Sequence, residues 1–155
     1  MRKAVFDILR PSIEGASFLD LYAGTGAMGL EALSQGALFS TFVEHDPEAL
    51  RSIRENISAL QLQKQTLVIR GNVLSVVKKI SKESFDIVYA DPPYEQAEEL
   101  ILVLQFFDEH ALISKGGTLF LEEGYPSKRV FPPLRQFFHT DSRHFGKSVV
   151  HKFTR

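Results

Sequence analysis

Phe18-Leu-Asp-Leu-Tyr-Ala-Gly-Thr-Gly-Ala-Met-Gly29 decides how the rest of the chain is read. A short apolar run (Phe18, Leu19, Leu21, Tyr22) carries one acid, Asp20, at its centre and ends in Ala23-Gly24-Thr25-Gly26. Helix-forming residues from Ala27 to Leu33 follow at once. Strand, glycine turn, helix is how an open α/β sheet offers backbone N–H groups to a nucleotide-like ligand, because glycine allows a tight turn and a close approach.

Two ligands compete for such a turn. Gly24-Thr25-Gly26-Ala27-Met28-Gly29 spells Gly-x-Gly-x-x-Gly, and Glu44 stands where a ribose-binding acid is expected, which together make the dinucleotide fingerprint. Asp20 points the other way. A carboxylate inside a buried strand is costly unless something satisfies it, and it would repel a pyrophosphate. The ammonium and sulfonium of S-adenosylmethionine would not be repelled, and Asp-x-x-x-Gly-x-Gly is similar to motif I of the Rossmann-like methyltransferases. The plainer alternative is that Asp20 only caps the loop.

Working outward, Met1 to Arg10 reads as an amphipathic helix ended by Pro11. Leu38 to Glu44 is the second strand, and Pro47 suits the first turn of a helix from Glu48 to Leu60, with Leu50, Ile53, Ile57 and Leu60 inward. Thr66 to Arg70 is the third strand, followed by Asn72-Val73 and a weak helix from Leu74 to Ile80. Phe85 to Ala90 is the fourth strand, Glu95 to Glu109 a helix, and Lys115-Gly116-Gly117 a turn into a fifth strand, Thr118 to Glu122. Two further β-rich stretches, Arg135 to Phe145 and Ser148 to Phe153, are joined through Gly146-Lys147 and must be antiparallel neighbours. The pattern predicts an α/β fold: one three-layer Rossmann-like domain over residues 1–155, with a mostly parallel seven-stranded sheet and an antiparallel C-terminal hairpin strand.

Composition narrows the classes. The chain has 155 residues, 44% of them hydrophobic, and no cysteine, which excludes disulfides, thiolate metal sites and a cysteine nucleophile. No apolar run is long enough to span a membrane, and nothing at the start reads as a signal peptide, so a cytoplasmic monomer is expected. The five histidines show no ligand spacing, and no metal is expected. From residue 126 onward, seven Lys or Arg face a single acid, Asp141, in a chain whose net charge is −1. That basic tail fits a nucleic-acid surface, or equally an edge strand kept from pairing by its lysines.

Asp91-Pro92-Pro93-Tyr94 is the second informative stretch. It follows the fourth strand, so it should lie beside the glycine turn, at the strand ends where open sheets bind ligands. Two prolines fix the backbone and leave outward carbonyls without local partners. A carboxylate, a bare carbonyl and an aromatic ring suit a flat base with an exocyclic amine: Tyr94 stacks, while Asp91 and the Pro92 carbonyl accept the two amine hydrogens. Such an amine is a poor nucleophile because its lone pair is delocalised, and acceptors on both N–H bonds favour the pyramidal, reactive form. Glu44 is placed to accept ribose hydroxyls, and Asn72 with the Val73 N–H to meet an adenine.

With these residues assembled, the chain resembles the bacterial 16S ribosomal RNA guanine-N2 methyltransferase family nearly end to end. Arg2-Lys-Ala-Val-Phe-Asp-Ile-Leu9 looks like the family's first helix, and Gly-Leu-Glu-Ala-Leu33, Phe-Val-Glu-His-Asp46, Asp-Pro-Pro-Tyr94 and Gly146-Lys-Ser-Val-Val continue the match. The resemblance implies that Asp20, Tyr22, Ala23, Gly24, Gly26, Glu44, His45, Asn72, Val73 and Asp91 form the S-adenosylmethionine site, and that Asp91, Pro92, Pro93 and Tyr94 hold the target guanine. The implied partner is 16S ribosomal RNA, free or in the 30S subunit. Family members usually have a few dozen residues before the first helix, with a basic segment and an Arg-Pro-Thr stretch, whereas this sequence begins inside that helix, so the expectation is either a misassigned start or a shortened N-terminus. Rival expectations are an adenine-N6 methyltransferase, an NAD-dependent oxidoreductase on the same glycines, and a catalytically silent binding protein.

Overall fold

Phe18, Leu19, Asp20 and Leu21 are all buried, so β1 (Ser17–Leu21) has no wet face and must lie inside a sheet covered on both sides. The computed structural model describes residues 2–155, and the part of the expected first helix at Met1 lies outside the described residues. Its strands are β1, β2 (Phe39–Glu44), β3 (Thr66–Arg70), β4 (Phe85–Ala90), β5 (Ile113–Gly124), β6 (Phe138–Phe145) and β7 (Ser148–Thr154). They form one seven-stranded sheet in the order β3-β2-β1-β4-β5-β7-β6. The first five are parallel, whereas β7 is antiparallel to both β5 and β6. Consequently β6 runs in the same direction as the core strands.

Residue alternation assigns the two helical layers. Phe18, Ile87 and Tyr89 pack with α1 (Arg2–Ile13) and α2 (Ala27–Ser34), and Phe42 with α3 (Pro47–Ala59). Their neighbours Leu19, Leu21, Val43 and Val88 face the opposite side, against α4 (Val73–Val77) and α5 (Glu99–His110). Asp46 caps α3 by accepting from the Ala49 amide at 2.9 Å, with Pro47 at the first helical position as expected. Asp108 of α5 accepts the amides of Arg135, Gln136 and Phe137 at 2.8, 2.7 and 3.0 Å, which ties the segment entering β6 to the helical layer. No helix among the described residues is long and apolar enough to cross a membrane.

Several boundaries differ from the sequence reading. Pro11 does not end α1; the helix continues to Ile13. Near a helix end the proline forfeits only one bond, to the carbonyl of exposed Asp7, while buried Leu9 and Ile13 hold the last turn on the sheet. Leu60 is not on the inner face of α3 but caps its end, 58% exposed. The helix expected from Glu95 begins as a single 3-10 turn, Tyr94–Gln96, before α5 starts at Glu99. Lys115-Gly116-Gly117 does not precede β5 but lies within it, as a bulge that shifts the register against β4 between Phe85 and Ile87.

The order of strands fixes where a ligand can sit. From β1 the chain builds outward through β2 and β3, then returns to the other side of β1 as β4. Open sheets bind ligands at that reversal, beyond the C-terminal strand ends. Leu21 of β1 pairs with Ala90 of β4, so the next residues, Tyr22 and Asp91, leave the sheet side by side.

Candidate active site

The turn after β1 is held in an unusual backbone conformation. Tyr22, Gly24 and Gly26 have φ of 57, 59 and 82°. The Ala23 amide donates to the Val43 carbonyl at 3.0 Å, and the Gly26 amide to the Ala23 carbonyl at 2.8 Å. The Tyr22 hydroxyl reaches across to Glu99 Oε2 at 2.5 Å, tying the turn to the start of α5. Gly26 then serves as N-cap of α2 without a side chain to contribute. Asp20 makes up the deficit from the strand below, its Oδ2 accepting the Gly29 amide at 3.0 Å. The capping alternative for Asp20 is therefore realised, on the helix rather than the loop.

Around this turn lies a cavity of about 500 Å³ lined by four acids, Asp20, Glu44, Asp46 and Asp91, one histidine and no Lys or Arg. That lining rejects a pyrophosphate and suits a ligand with positive charge. Burial pushes the Asp20 carboxyl up to about 8, against the opposing pull of the Gly29 amide, and the charges of Asp91 and Glu44 add to the rise. Asp91 is pushed up to about 7 by loss of solvent, with the Glu122 carboxylate contributing; its outer side stays open to water, which tempers the effect. Glu44 goes the other way. Burial alone would raise it, but its oxygens accept the amides of Asp46, Gly24 and His45 at 2.9, 2.8 and 2.8 Å and meet the His45 ring at 3.2 Å, holding it below the ordinary carboxylate range.

Of the expected site residues, the cavity gathers Asp20, Tyr22, Ala23, Gly24, Glu44, His45, Asp91 and Pro93. Gly26 shapes the turn from beneath. Asn72 and Val73 are not in this lining: Asn72 caps α4 by accepting the Leu74 amide at 3.0 Å, and Val73 is buried. Pro92 is buried too, and Tyr94 projects away from the cavity, 91% exposed, into a second groove across the Tyr94–Gln96 turn.

Sequence reasoning missed Tyr89, which lines the cavity and donates its hydroxyl to Glu122. The available signal was alternation: Tyr89 lies two residues before Asp91 and across β1 from Asp20, so it shares their face. Also missed was the hydrogen-bonded row of His139, Ser142, His151 and Glu123, with steps of 2.7, 2.7 and 2.8 Å. Register brings these together across β6, β7 and β5, and spacing along the chain does not show it.

Comparison with known proteins follows the same lines. Residues 1–154 match the family model described as conserved hypothetical protein 95. The chain is 30% identical over 124 residues to YlbH of Bacillus subtilis, provisionally named an rRNA methyltransferase, covering 79% of this chain and 67% of that one. It is 34% identical over 107 residues to ribosomal RNA small subunit methyltransferase D of Escherichia coli, covering 68% of this chain and only 53% of that protein. The solved structure of yhhF from Escherichia coli, provisionally named a methyltransferase, superposes with a TM-score of 0.87 at 24% identity over 99% of this chain and 84% of that one, which establishes the fold. The same α/β architecture, an acid-lined turn and a family match over nearly every residue converge: the chain belongs to the conserved hypothetical protein 95 family.

Proposed function

We propose that this chain transfers a methyl group from S-adenosylmethionine to the exocyclic N2 amine of a guanine in 16S ribosomal RNA. The observation that carries the reading is the four-acid cavity meeting Asp91-Pro92-Pro93-Tyr94 at the reversal of the sheet. The RNA class rests on relatives named as small-subunit ribosomal RNA methyltransferases. Asp20 and Asp91 would hold the charged methionine end, and Glu44, whose Oε1 keeps a lone pair beyond the one given to Gly24, the ribose. When bound, the cofactor supplies a sulfonium-activated methyl. Asp91 and the Pro92 carbonyl then accept the amine hydrogens, and Asp91 takes the released proton; stacking of the base on Tyr94 requires that ring to turn back from the neighbouring groove. A paired guanine cannot reach Asp91, so the base must be unpaired or flipped out.

Transfer from labelled cofactor to 30S subunits, free 16S RNA and duplex DNA, followed by nucleoside analysis, tests this directly. N2-methylguanosine from a ribosomal substrate is expected. N6-methyladenosine would install the adenine reading instead, since Asp-Pro-Pro-Tyr suits any exocyclic amine.

A proton count gives a second check. With its carboxyl pushed up to about 8, Asp20 is mostly protonated at pH 7, and a cation placed beside it restores ordinary acidity. Binding of S-adenosylmethionine at pH 7 should therefore release up to about one proton, read by calorimetry in buffers of different ionisation heat. In Asp20→Asn the release should drop to the share of Asp91, which is about half protonated at pH 7. A release that this substitution does not reduce would disprove the assignment.

The direction of β6 bears on RNA contact. Running with the core, β6 and the turn at Gly146-Lys147 end on the site's side of the sheet, where the Tyr125 amide donates to the Lys147 carbonyl at 2.8 Å. Arg143 shares its charge with Asp141 at 2.8 Å, which leaves Lys147 as the stronger phosphate contact. Charge reversal at both is expected to weaken RNA binding and flatten its salt dependence, by about 0.7–0.9 in log–log slope for each phosphate no longer neutralised, with cofactor affinity unchanged. An unaltered salt slope would remove this surface from the interface.

A further inference from the structure

A groove of about 690 Å³ lies across the Tyr94–Gln96 turn from the four-acid cavity. The turn is a partition: Pro93 and Gln96 line the cavity, whereas Tyr94 and Ala97 line the groove. The loop after β5, from Tyr125 to Arg129, forms the opposite wall. Arg129 is already engaged, its Nε donating to Glu123 at 2.7 Å, but Lys128 is exposed and makes no ion pair among the described residues. Tyr125 is half exposed, at 50%, and the transfer chemistry makes no use of it.

Tyr125 is built as a shelf. One face of its ring stacks on His144, with centroids 3.6 Å apart and planes 17° from parallel. His144 is itself fixed, its Nε2 lying 2.6 Å from the Gly146 carbonyl. The Tyr125 backbone is pinned by its amide bond to Lys147. A ring backed on one side and open on the other stacks a flat partner without losing further rotamer freedom. An open groove with preset aromatic faces and a lysine, rather than a closed pocket of convergent donors, is the chemistry that recognises unpaired bases.

We propose that this groove binds the nucleotide next to the target guanine in unpaired RNA, its base stacked on Tyr125 and its phosphate near Lys128. The inference rests on the RNA-methyltransferase reading and extends it. A base turned into the Asp91–Tyr94 shelf leaves its neighbour without a stacking partner, and Tyr125 supplies a replacement that offsets part of that cost.

The chain has no tryptophan, so Tyr125→Trp places a single tryptophan on the shelf, which can be excited apart from the remaining tyrosines. Its emission should quench when a short unpaired RNA oligonucleotide containing one guanine is added to the protein holding S-adenosylhomocysteine. Tyr125→Ala should weaken oligonucleotide binding about five- to a hundredfold, Tyr125→Phe should restore it, and S-adenosylhomocysteine affinity should not move in either. An abasic residue 5′ or 3′ of the guanine should weaken the unaltered protein by a similar factor and cost Tyr125→Ala nothing further. Unchanged oligonucleotide affinity in Tyr125→Ala, or an equal abasic penalty in both proteins, overturns the inference. Methyl transfer to guanine that is indifferent to Tyr125 would leave the proposed function standing and remove the subsite. Tyr125-dependent binding without transfer to any ribosomal substrate would keep the groove as a nucleotide site and remove the proposed function, and no oligonucleotide binding at all would remove the subsite.

Discussion

Replacing Asp91 with alanine should lower the rate of methyl transfer about a hundred- to ten-thousandfold, while S-adenosylhomocysteine affinity falls by no more than about tenfold, the worth of one modest contact. The separation follows from geometry. Asp91 shares the cofactor cavity with three other acids, so its loss there is diluted. Toward the substrate it stands alone at the head of the Pro92-Pro93 corner, and no other carboxylate of that corner can accept the amine proton. Because its carboxyl is pushed up to about 7 before the cationic cofactor binds, kcat/KM for the cofactor should climb with pH through about 7 and then level off, as the base form fills. Asp91→Asn keeps one acceptor but cannot take a proton, so it should lose both the climb and most of the rate. Single-turnover kinetics across pH, paired with calorimetry of the product cofactor, read all of these. A variant that turns over at the wild-type rate ends the assignment of Asp91 as acceptor.

A large effect on stability is expected at Gly29. An added Cβ there would stand 2.4 Å from Phe42 Cε1 and 2.8 Å from Cζ. Phe42 is fully buried against Ile53 and Ile57 of α3, so its ring has nowhere to go and α2 must move away from the sheet instead. That movement also stretches the bond from the Gly29 amide to Asp20. Overpacking of this kind costs about 2–3 kcal/mol, or roughly 5–10 °C in the unfolding midpoint of a chain this size. Gly29→Ala should lose cofactor affinity along with stability, whereas a purely electrostatic change such as Asp20→Asn should affect affinity more than melting. Thermal unfolding with and without S-adenosylhomocysteine distinguishes the two, and an unchanged melting temperature in Gly29→Ala would contradict the packing described.

β1, β4 and the second half of β5 were legible because they are buried on both faces and so read as nearly continuous apolar runs, and the other strands were legible from alternation and from the glycines and prolines between them. Asp20, Glu44 and Asp91 were legible as outliers, acids at strand ends where only a ligand or a cap would want them. What the chain order hid was of two kinds. Pro11, Leu60 and the Lys115–Gly117 bulge are boundary questions, settled by which side chains the sheet buries and not by local preference. Asn72, Tyr94 and the His139–Ser142–His151 row are questions of direction. Adjacency in sequence suggested that Asn72 and Tyr94 open on the cavity; the cap of α4 and the 3-10 turn aim them elsewhere. Histidines far apart in sequence meet only because β6 folds back along β7, with a register shift between His139 and Asp141.

Glu44 joins the end of β2, the glycine turn and the entrance to α3 through a single carboxylate. The mould is therefore set before any ligand arrives. Nothing has to fold around the newcomer, so its capture is governed by encounter and by stripping water from four acids, and little of the binding free energy is consumed in putting the protein in order.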